Sequence, residues 1–515
     1  MKRLTAVFLC LSLLFVFPAA LAQEENVKES GEVRYVILSD NTAKIVGYTG
    51  ENSAITFPSW VDGHTVTAIG DEVFDNYFWA DSITIPETIT SISSRAFLDS
   101  QANSIFVVPG NPVYESVGGV LYDKQKKMLH SYPDGRWSEK YSVRQGTKAI
   151  GEYAFCDSFA LKAIELPEGL TDIGRYAFTF CMQLKDAALP QSLMTIGEGA
   201  FNECGQLKKV LIPENVRSIG QRAFSYCQTM DAFEVAQGNK TFKALDGVLF
   251  TMDGKVLLAY PGNRKGKEYA IPAETESISE EAFSGSTQLK SIFIPKGTRS
   301  IGGGAFGGGQ ALTEIKVEEG NPAYRAENGA LFHAVLKRLE AYPAGKEDKK
   351  YAVPEGTLAI GDRVFENNLH LESVMLPGSV TTIGDEAFYA CSLLTDISLP
   401  DGIRNIGAGT FAHCYSLKGI TLPRDLTKIG EEAFMGSGLY DVALPESLEI
   451  VEKMAFGGCW QLMSVFIPGS RIRIDEEAFA DCGELMLEVV EGSWGHAFAN
   501  ENKLSYTIQP VWLRK

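Results

Sequence analysis

The chain has 515 residues, 47 of them Lys or Arg against 65 Asp or Glu, for a formal charge of −18 at pH 7. That acidic balance argues against nucleic acid and anionic membrane surfaces as partners, because both reward positive patches. The length suits roughly three or four ordinary domains, although a repeat array has no such ceiling.

Met1-Lys2-Arg3, an apolar run over 4–17 and Ala20-Leu21-Ala22 predict a signal peptide over 1–22, cut before Gln23. The alternative is a membrane anchor, but the run is short for a bilayer span and no charged stop-transfer flank follows. No Cys stands at the cut, and no later apolar run approaches a span, so the remainder is expected to be soluble and exported. Residues 23–68 are expected to form an N-terminal cap. Strands are predicted over 34–38 and 55–58, with Asp62-Gly63 as a turn.

From residue 69 to 484 one phrase recurs. Phe155, Phe178, Phe201 and Phe224 stand 23 apart, and the residues between them repeat in kind. Counting from each Phe, Leu sits at +6, apolar residues at +9 and +11, Pro at +12, and Ile-Gly at +18 and +19. Ala precedes the next Phe. The column includes fourteen Phe, from Phe74 and Phe97 through Phe283, Phe306, Phe365, Phe388, Phe411 and Phe434 to Phe456 and Phe479. A fixed period of this length predicts a solenoid of stacked coils sharing one core. Positions +6 to +11 alternate apolar and variable residues, as in 417–422, and predict a strand halted by the following Pro. The segment holding Ala-Phe is too short for more than a turn or two of helix.

Three steps in the column are longer, and each opens on Gly-Asn: Gly110-Asn111, Gly238-Asn239 and Gly320-Asn321. Each predicts a rung that carries a β-hairpin insert, near 110–144, 238–272 and 320–354, with Asp253-Gly254 as the tight turn of the middle copy. Adding three resumed strands to the fourteen Phe coils predicts about 17 rungs, or roughly 80 Å of stack at about 4.8 Å per rung. After Phe479 the pattern decays. Glu488 stands where a core residue is expected, so the stack should end near 484. Residues 485–515 are expected to form a C-terminal cap, helical over 495–503 and extended over 505–508.

Seven of the nine Cys fall at Phe+3, a position held elsewhere by Ser, Gly or Asn. A slot shared in this way suits a small side chain, and free Cys packs as a small hydrophobe. Rung spacing would also permit disulfides or a metal ladder. His413-Cys414 beside Cys391 resembles a metal cluster but lacks paired C-x-x-C spacing. The glycine run 302–309 aligns with an ordinary Ala-Phe segment and has no Gly-Lys-Ser/Thr, so it is expected to be structural rather than phosphate-binding. Glu386 and Glu432, two before their Phe, are assigned to the solvated face. No catalytic, cofactor or metal residue emerges.

With +9 and +11 inward, +10 should point out of the sheet. That column holds five large apolar residues, Val107, Leu211, Phe293, Met375 and Phe466, which form one candidate ligand surface. The insert aromatics Tyr122, Tyr132, Trp137, Phe250 and Tyr260 are a second, since aromatic residues favour interfaces.

The phrase Ile-Gly-x-x-Ala-Phe-x-x-Cys-x-x-Leu-x-x-Ile-x-Leu-Pro resembles the bacterial surface-antigen (BspA-like) leucine-rich repeats, over most of 31–510. The Gly-Val-Leu-Phe…Tyr-Pro inserts and the Gly-Ser-x-x-x-x-Phe-Ala end match as well. The resemblance implies a strand-dominated α/β solenoid of leucine-rich-repeat type, with a parallel sheet on one face. It also implies an exported or surface-held, non-enzymatic protein that binds extracellular or cell-surface proteins or glycans, as an adhesin does. A structural or spacer module of a surface assembly with no ligand of its own is the first alternative, and an unrecognised hydrolase is the second.

Overall fold

The computed structural model describes residues 27–74, 79–469 and 471–509; the expected signal peptide lies outside them. It is a strand-dominated solenoid of about 20 turns with one α-helix, Trp494–Glu501, among the described residues.

Within the regular runs a coil bonds to the next on as many as three sides, of which the sequence predicts one. The predicted strand forms a parallel ladder, for example Lys140–Ser142, Ala163–Glu165 and Asp186–Ala188. A second ladder runs through the residues ending at the Ile of Ile-Gly, as in Ala149–Ile150, Asp172–Ile173, Thr195–Ile196 and Ser218–Ile219. On the third side the amides of Phe155, Phe178 and Phe201 donate to the carbonyls of Ala177, Ala200 and Ala223 at 2.7, 2.8 and 2.8 Å. This third side is a chain of turns rather than helix. In most coils the residues two before and two after the Phe, such as Tyr176 (φ 51°) and Phe180 (φ 58°), are left-handed. That conformation breaks any right-handed helix and aims the amides along the stack.

All fourteen Phe of the column are buried. Their rings stack coil on coil, with centroids 4.9 Å apart for Phe155–Phe178, 5.1 Å for Phe178–Phe201 and 5.5 Å for Phe201–Phe224. The Gly of Ile-Gly is imposed by the same stacking. A Cβ on Gly220 would lie 2.3 Å from the Glu198 nitrogen of the coil before it.

The inserts are three-stranded meanders rather than two-stranded hairpins. The middle copy runs Phe242–Leu245, Val248–Thr251 and Val256–Ala259, all antiparallel. Its tight turn is Asp246-Gly247, with φ of 48° and 77° as a type I′ turn requires, and the predicted Asp253-Gly254 lies in the longer second loop. Asn239 anchors the meander. Its Nδ2 donates to the Pro213 and Val216 carbonyls at 2.8 and 3.2 Å, while its Oδ1 accepts from the amides of Thr241 and Phe242. Asn111 and Asn321 make the same four bonds. The last meander strand then enters the second ladder, pairing Leu257 with Ile278.

The central meander strand divides the core. Leu121 packs with the coils before it, while Val120 and Tyr122 pack with those after. Leu249 is likewise set against Val248 and Phe250, and Leu331 against Ala330 and Phe332. Alternate residues of a strand face opposite ways, so a strand laid across the stack serves both neighbours. The interior is therefore four cores with three walls, not one continuous core.

The C-terminal correction has the same physical origin. Leu487 and Val489 are fully buried and Glu488 faces out, because one residue is missing between Phe479 and the strand Met486–Val490. A slip of one flips every side chain to the other face. The stack continues through Tyr506–Gln509, which pairs with Met486–Val490, and the predicted helix follows Ser493 as its N-cap. At the other end Val33–Ile37 pairs antiparallel with Ala43–Tyr48, which joins the second ladder through His64–Ile69. The stretch 417–422, a clear strand by its pattern, is not one. Gly419 sits in its middle, and glycine weakens a strand interior.

Candidate functional site

The first ladder presents the variable face of the coils. Leu211, Phe293 and Met375 are exposed on it as expected, but each stands alone. Leu211 pairs with Glu234, Phe293 lies between Ala270 and Lys316, and Met375 lies between Ala352 and Ser398. Phe466, between Ala443 and Glu488, is only half-exposed. Val107 is not an outward residue. The Phe97 coil is one residue short before its strand, so Ile105 is inward, Phe106 pairs with Thr84 on the outer face, and Phe106 is the exposed residue. The +10 column therefore supplies separate apolar points and no continuous patch.

The insert aromatics are not a platform either, with one exception. Tyr122, Phe250, Tyr132 and Tyr260 are buried, and only Trp137 is exposed, at 77%. Tyr122 and Phe250 lie on the dividing strands. Tyr132 and Tyr260 restart the ring column, stacking on Phe155 and Phe283 with centroids 4.8 and 4.9 Å away, and Tyr342 takes the same place before Phe365. Each of these Tyr precedes its Phe by 23 residues, a signal present in the sequence.

The Phe+3 thiols serve the stack. Cys181, Cys204 and Cys227 donate to the carbonyls of Phe155, Phe178 and Phe201 at 3.1, 3.2 and 3.3 Å. Cys391, Cys414, Cys459 and Cys482 do the same toward Phe365, Phe388, Phe434 and Phe456. The eight described Cys are free, and burial pushes thiols such as Cys414 up to about 12, far from a reactive thiolate. His413, whose Nδ1 lies 3.3 Å from the Tyr415 hydroxyl, is pushed down to about 4 by burial. Among the described residues no group of three His, Cys, Asp or Glu is placed to hold a metal ion.

The turn side, assigned to solvent by the sequence, is partly buried because coils far apart in the chain meet across it. Tyr226 donates to Glu366 at 2.5 Å, 140 residues away. Arg363 lies 2.9 Å from Glu281 and 2.9 Å from Glu386, and Arg222 lies 2.9 Å from Glu198. Glu386 and Glu432 are buried here. Burial pushes Glu366 up to about 7 and Glu432 up to about 8. The glycine run lies underneath: a Cβ on Gly308 would sit 2.7 Å from the Tyr226 ring, and one on Gly307 would sit 2.4 Å from the Glu366 carboxylate. These glycines clear space for the crossing. The ends of the solenoid also meet, with Lys453 3.4 Å from Glu72 and Arg34 3.8 Å from Glu476.

A sequence model described as a BspA type leucine rich repeat region matches the chain in six copies, over 31–114, 138–245, 259–328 and 358–486, together well over half of it. The unmatched gaps fall on the meanders. No curated protein matches. Among solved structures, the chain is similar to a leucine rich cell surface protein of Faecalibacterium prausnitzii A2-165, at 25% identity over 94% of this chain and 98% of that one, with a TM-score of 0.39. It is also similar to the pneumococcal vaccine antigen PcpA, at 18% identity over 95% and 99% with a TM-score of 0.42. A leucine-rich repeat protein of Eubacterium ventriosum ATCC 27560 matches at 19% identity over 94% and 96%, with a TM-score of 0.35. Among the described residues no helix is long and apolar enough to cross a membrane.

Proposed function

The chain belongs to the BspA-type leucine-rich repeat family, and from that membership we propose that it is an exported, non-catalytic binding module at a bacterial cell surface. Its ligands are extracellular or cell-surface proteins or glycans, held by the outer faces of the coils. One observation carries this reading. The inward positions repeat coil after coil, whereas the outward ones change freely among charged, small and large apolar residues on the same rigid backbone. Such a strip offers many shallow contacts with a pattern specific to one partner.

The test uses the chain from Gln23 onward, immobilised and presented with a panel of extracellular-matrix proteins and a glycan array. Saturable binding to one of them is expected. If both panels stay empty while the protein self-associates on sizing, it is a spacer in a surface assembly and the binding reading falls.

A further inference from the structure

Four neighbouring coils near the C-terminal end carry a row of exposed side chains that sets them apart from the described coils before them. Seven residues after the Phe, just ahead of the strand, the earlier coils place polar residues of either charge, such as Lys162, Lys185, Lys208, Asp231, Lys290 and Glu372. In the last coils this polar column changes. Lys418 is followed by Tyr440, six residues after Phe434 in a coil one residue shorter, then by Met463 and by Met486, whose coil is shifted one residue in its pairing; the three are 45%, 57% and 38% exposed. Lys418, Tyr440 and Met463 stand side by side, and Met486 follows on the next rung opposite Ser464. The amide of Tyr440 donates to the Lys418 carbonyl at 3.0 Å, that of Met463 to Tyr440 at 2.8 Å, and that of Met486 to Met463 at 2.9 Å. Trp460, 75% exposed, flanks the row.

Lys418 is held at the head of the row. Its ammonium lies 5.1 Å from the Tyr440 ring centre and donates to the Gln461 side chain at 2.8 Å and the Tyr415 carbonyl at 3.3 Å. Among the described residues no carboxylate pairs with it, in a chain rich in them. A cation fixed over an aromatic face and left without an anion favours an acidic group from outside. The Met pair beyond it offers flexible, polarisable side chains that adapt to apolar partners.

Resting on the reading of the chain as a binding module, we propose that this row holds a short extended peptide segment of a partner protein, with the pattern acidic–x–apolar–x–apolar. The spacing supports that pattern. Three rungs from Lys418 to Met486 span about 14 Å, and the first and fifth residues of an extended strand, four steps apart, span about 13 Å. The acidic side chain meets Lys418, and the two apolar ones lie on Tyr440 with Met463 and on Met486. A second copy of this chain is a poor occupant. The row covers a few hundred Å², against about 800 Å² on each side of a standard protein interface.

Fluorescence anisotropy tests this with a labelled peptide carrying glutamate, leucine and phenylalanine at alternate positions with serine between, its scrambled form, and a version with lysine in place of glutamate. Wild type should prefer the first peptide by about tenfold over the others, Lys418→Glu should transfer the preference to the lysine peptide, and Met463→Asp should weaken all binding about tenfold. Circular dichroism confirms that both exposed-site variants fold. Equal peptide binding by wild type and variants overturns the proposal. So does a glycan-array signal that Trp460→Ala abolishes while the peptides bind indifferently, since the row is then a carbohydrate site. Running the variants on the matrix and glycan panels separates the two claims. Ligand binding that survives both substitutions sinks this row alone, whereas panels left empty by wild type sink the binding reading itself.

Discussion

A single phenylalanine in the column touches the ring above it, the ring below it and the carbonyl-bound thiol of the next coil, so its removal leaves a hole that stacked backbones cannot close. Phe201, fully buried between Phe178 and Phe224, is the clearest case. Phe201→Ala should lower unfolding free energy by about 3–5 kcal/mol in denaturant titration; a loss below about 1 kcal/mol would place that ring outside the core. Glycine positions divide by the same geometry. Gly220→Ala drives a Cβ into the backbone of the preceding coil and should destabilise strongly. Gly205, with ordinary φ and open space around its Cβ position, should accept Ala with no loss or a gain of about 0.4–1 kcal/mol. Paired melting curves of the two variants decide it. The outward residues were less legible. Val107 was assigned outward from a fixed offset, but a coil one residue short put Phe106 there. Nothing local marks the missing residue until the pairing partner, Thr84, is known.

At the scale of the element, the meander governs the stack. Its anchor is one side chain: Asn239 satisfies two carbonyls and two amides that are otherwise buried at a coil junction. Asn239→Ala should cost about 3 kcal/mol, because several polar groups lose their partners at once. Hydrogen exchange should show the loss concentrated in 242–259 rather than spread along the chain. Protection that falls evenly in all four cores would mean that the meander is not an anchor. The hairpin signal in the sequence was correct as far as it went. The first strand of each meander and its type I′ turn escaped because Phe242–Leu245 alternates weakly, and its role as the outer strand of a wall depends on coils on both sides.

For the whole molecule, the meeting of distant coils on the turn side makes stability depend on pH. Burial favours the protonated forms of Glu203 and Glu432, pushed up to about 8, and of Glu366, Asp134 and Asp157, pushed up to about 7. Their contribution is complete below the ordinary carboxylate range and is lost as pH rises through about 7 to 8. His130 and His413, pushed down to about 4, act in the opposite sense: their contribution is present above the ordinary histidine value and is lost as pH falls toward about 4. The melting temperature should therefore be higher at pH 6 than at pH 8. Glu366→Gln, which keeps the shape without the charge, should raise it at pH 8 and much less at pH 5. A variant that melts below wild type at both pH values would show that the Glu366 carboxylate is needed by Arg363 and Tyr226 in its charged form.

The sequence by itself determined the repeating coil, its inward Phe, Leu and Ile, the place of each insert and the C-terminal helix. A 23-residue period dictates these wherever neighbouring coils are alike, since every coil then meets the same environment. It could not determine what depends on unlike coils meeting. The second ladder rests on strands two residues long, too short for any periodicity to register. The walls between the cores require a strand with an apolar residue on each face and coils waiting on both sides. The burial of Glu386, and the need for glycine at 307 and 308 beneath the Tyr226–Glu366 contact, follow from coils that are not consecutive meeting on the turn side. Contact between residues so far apart is set by curvature summed over many coils, and only the tertiary structure holds that sum.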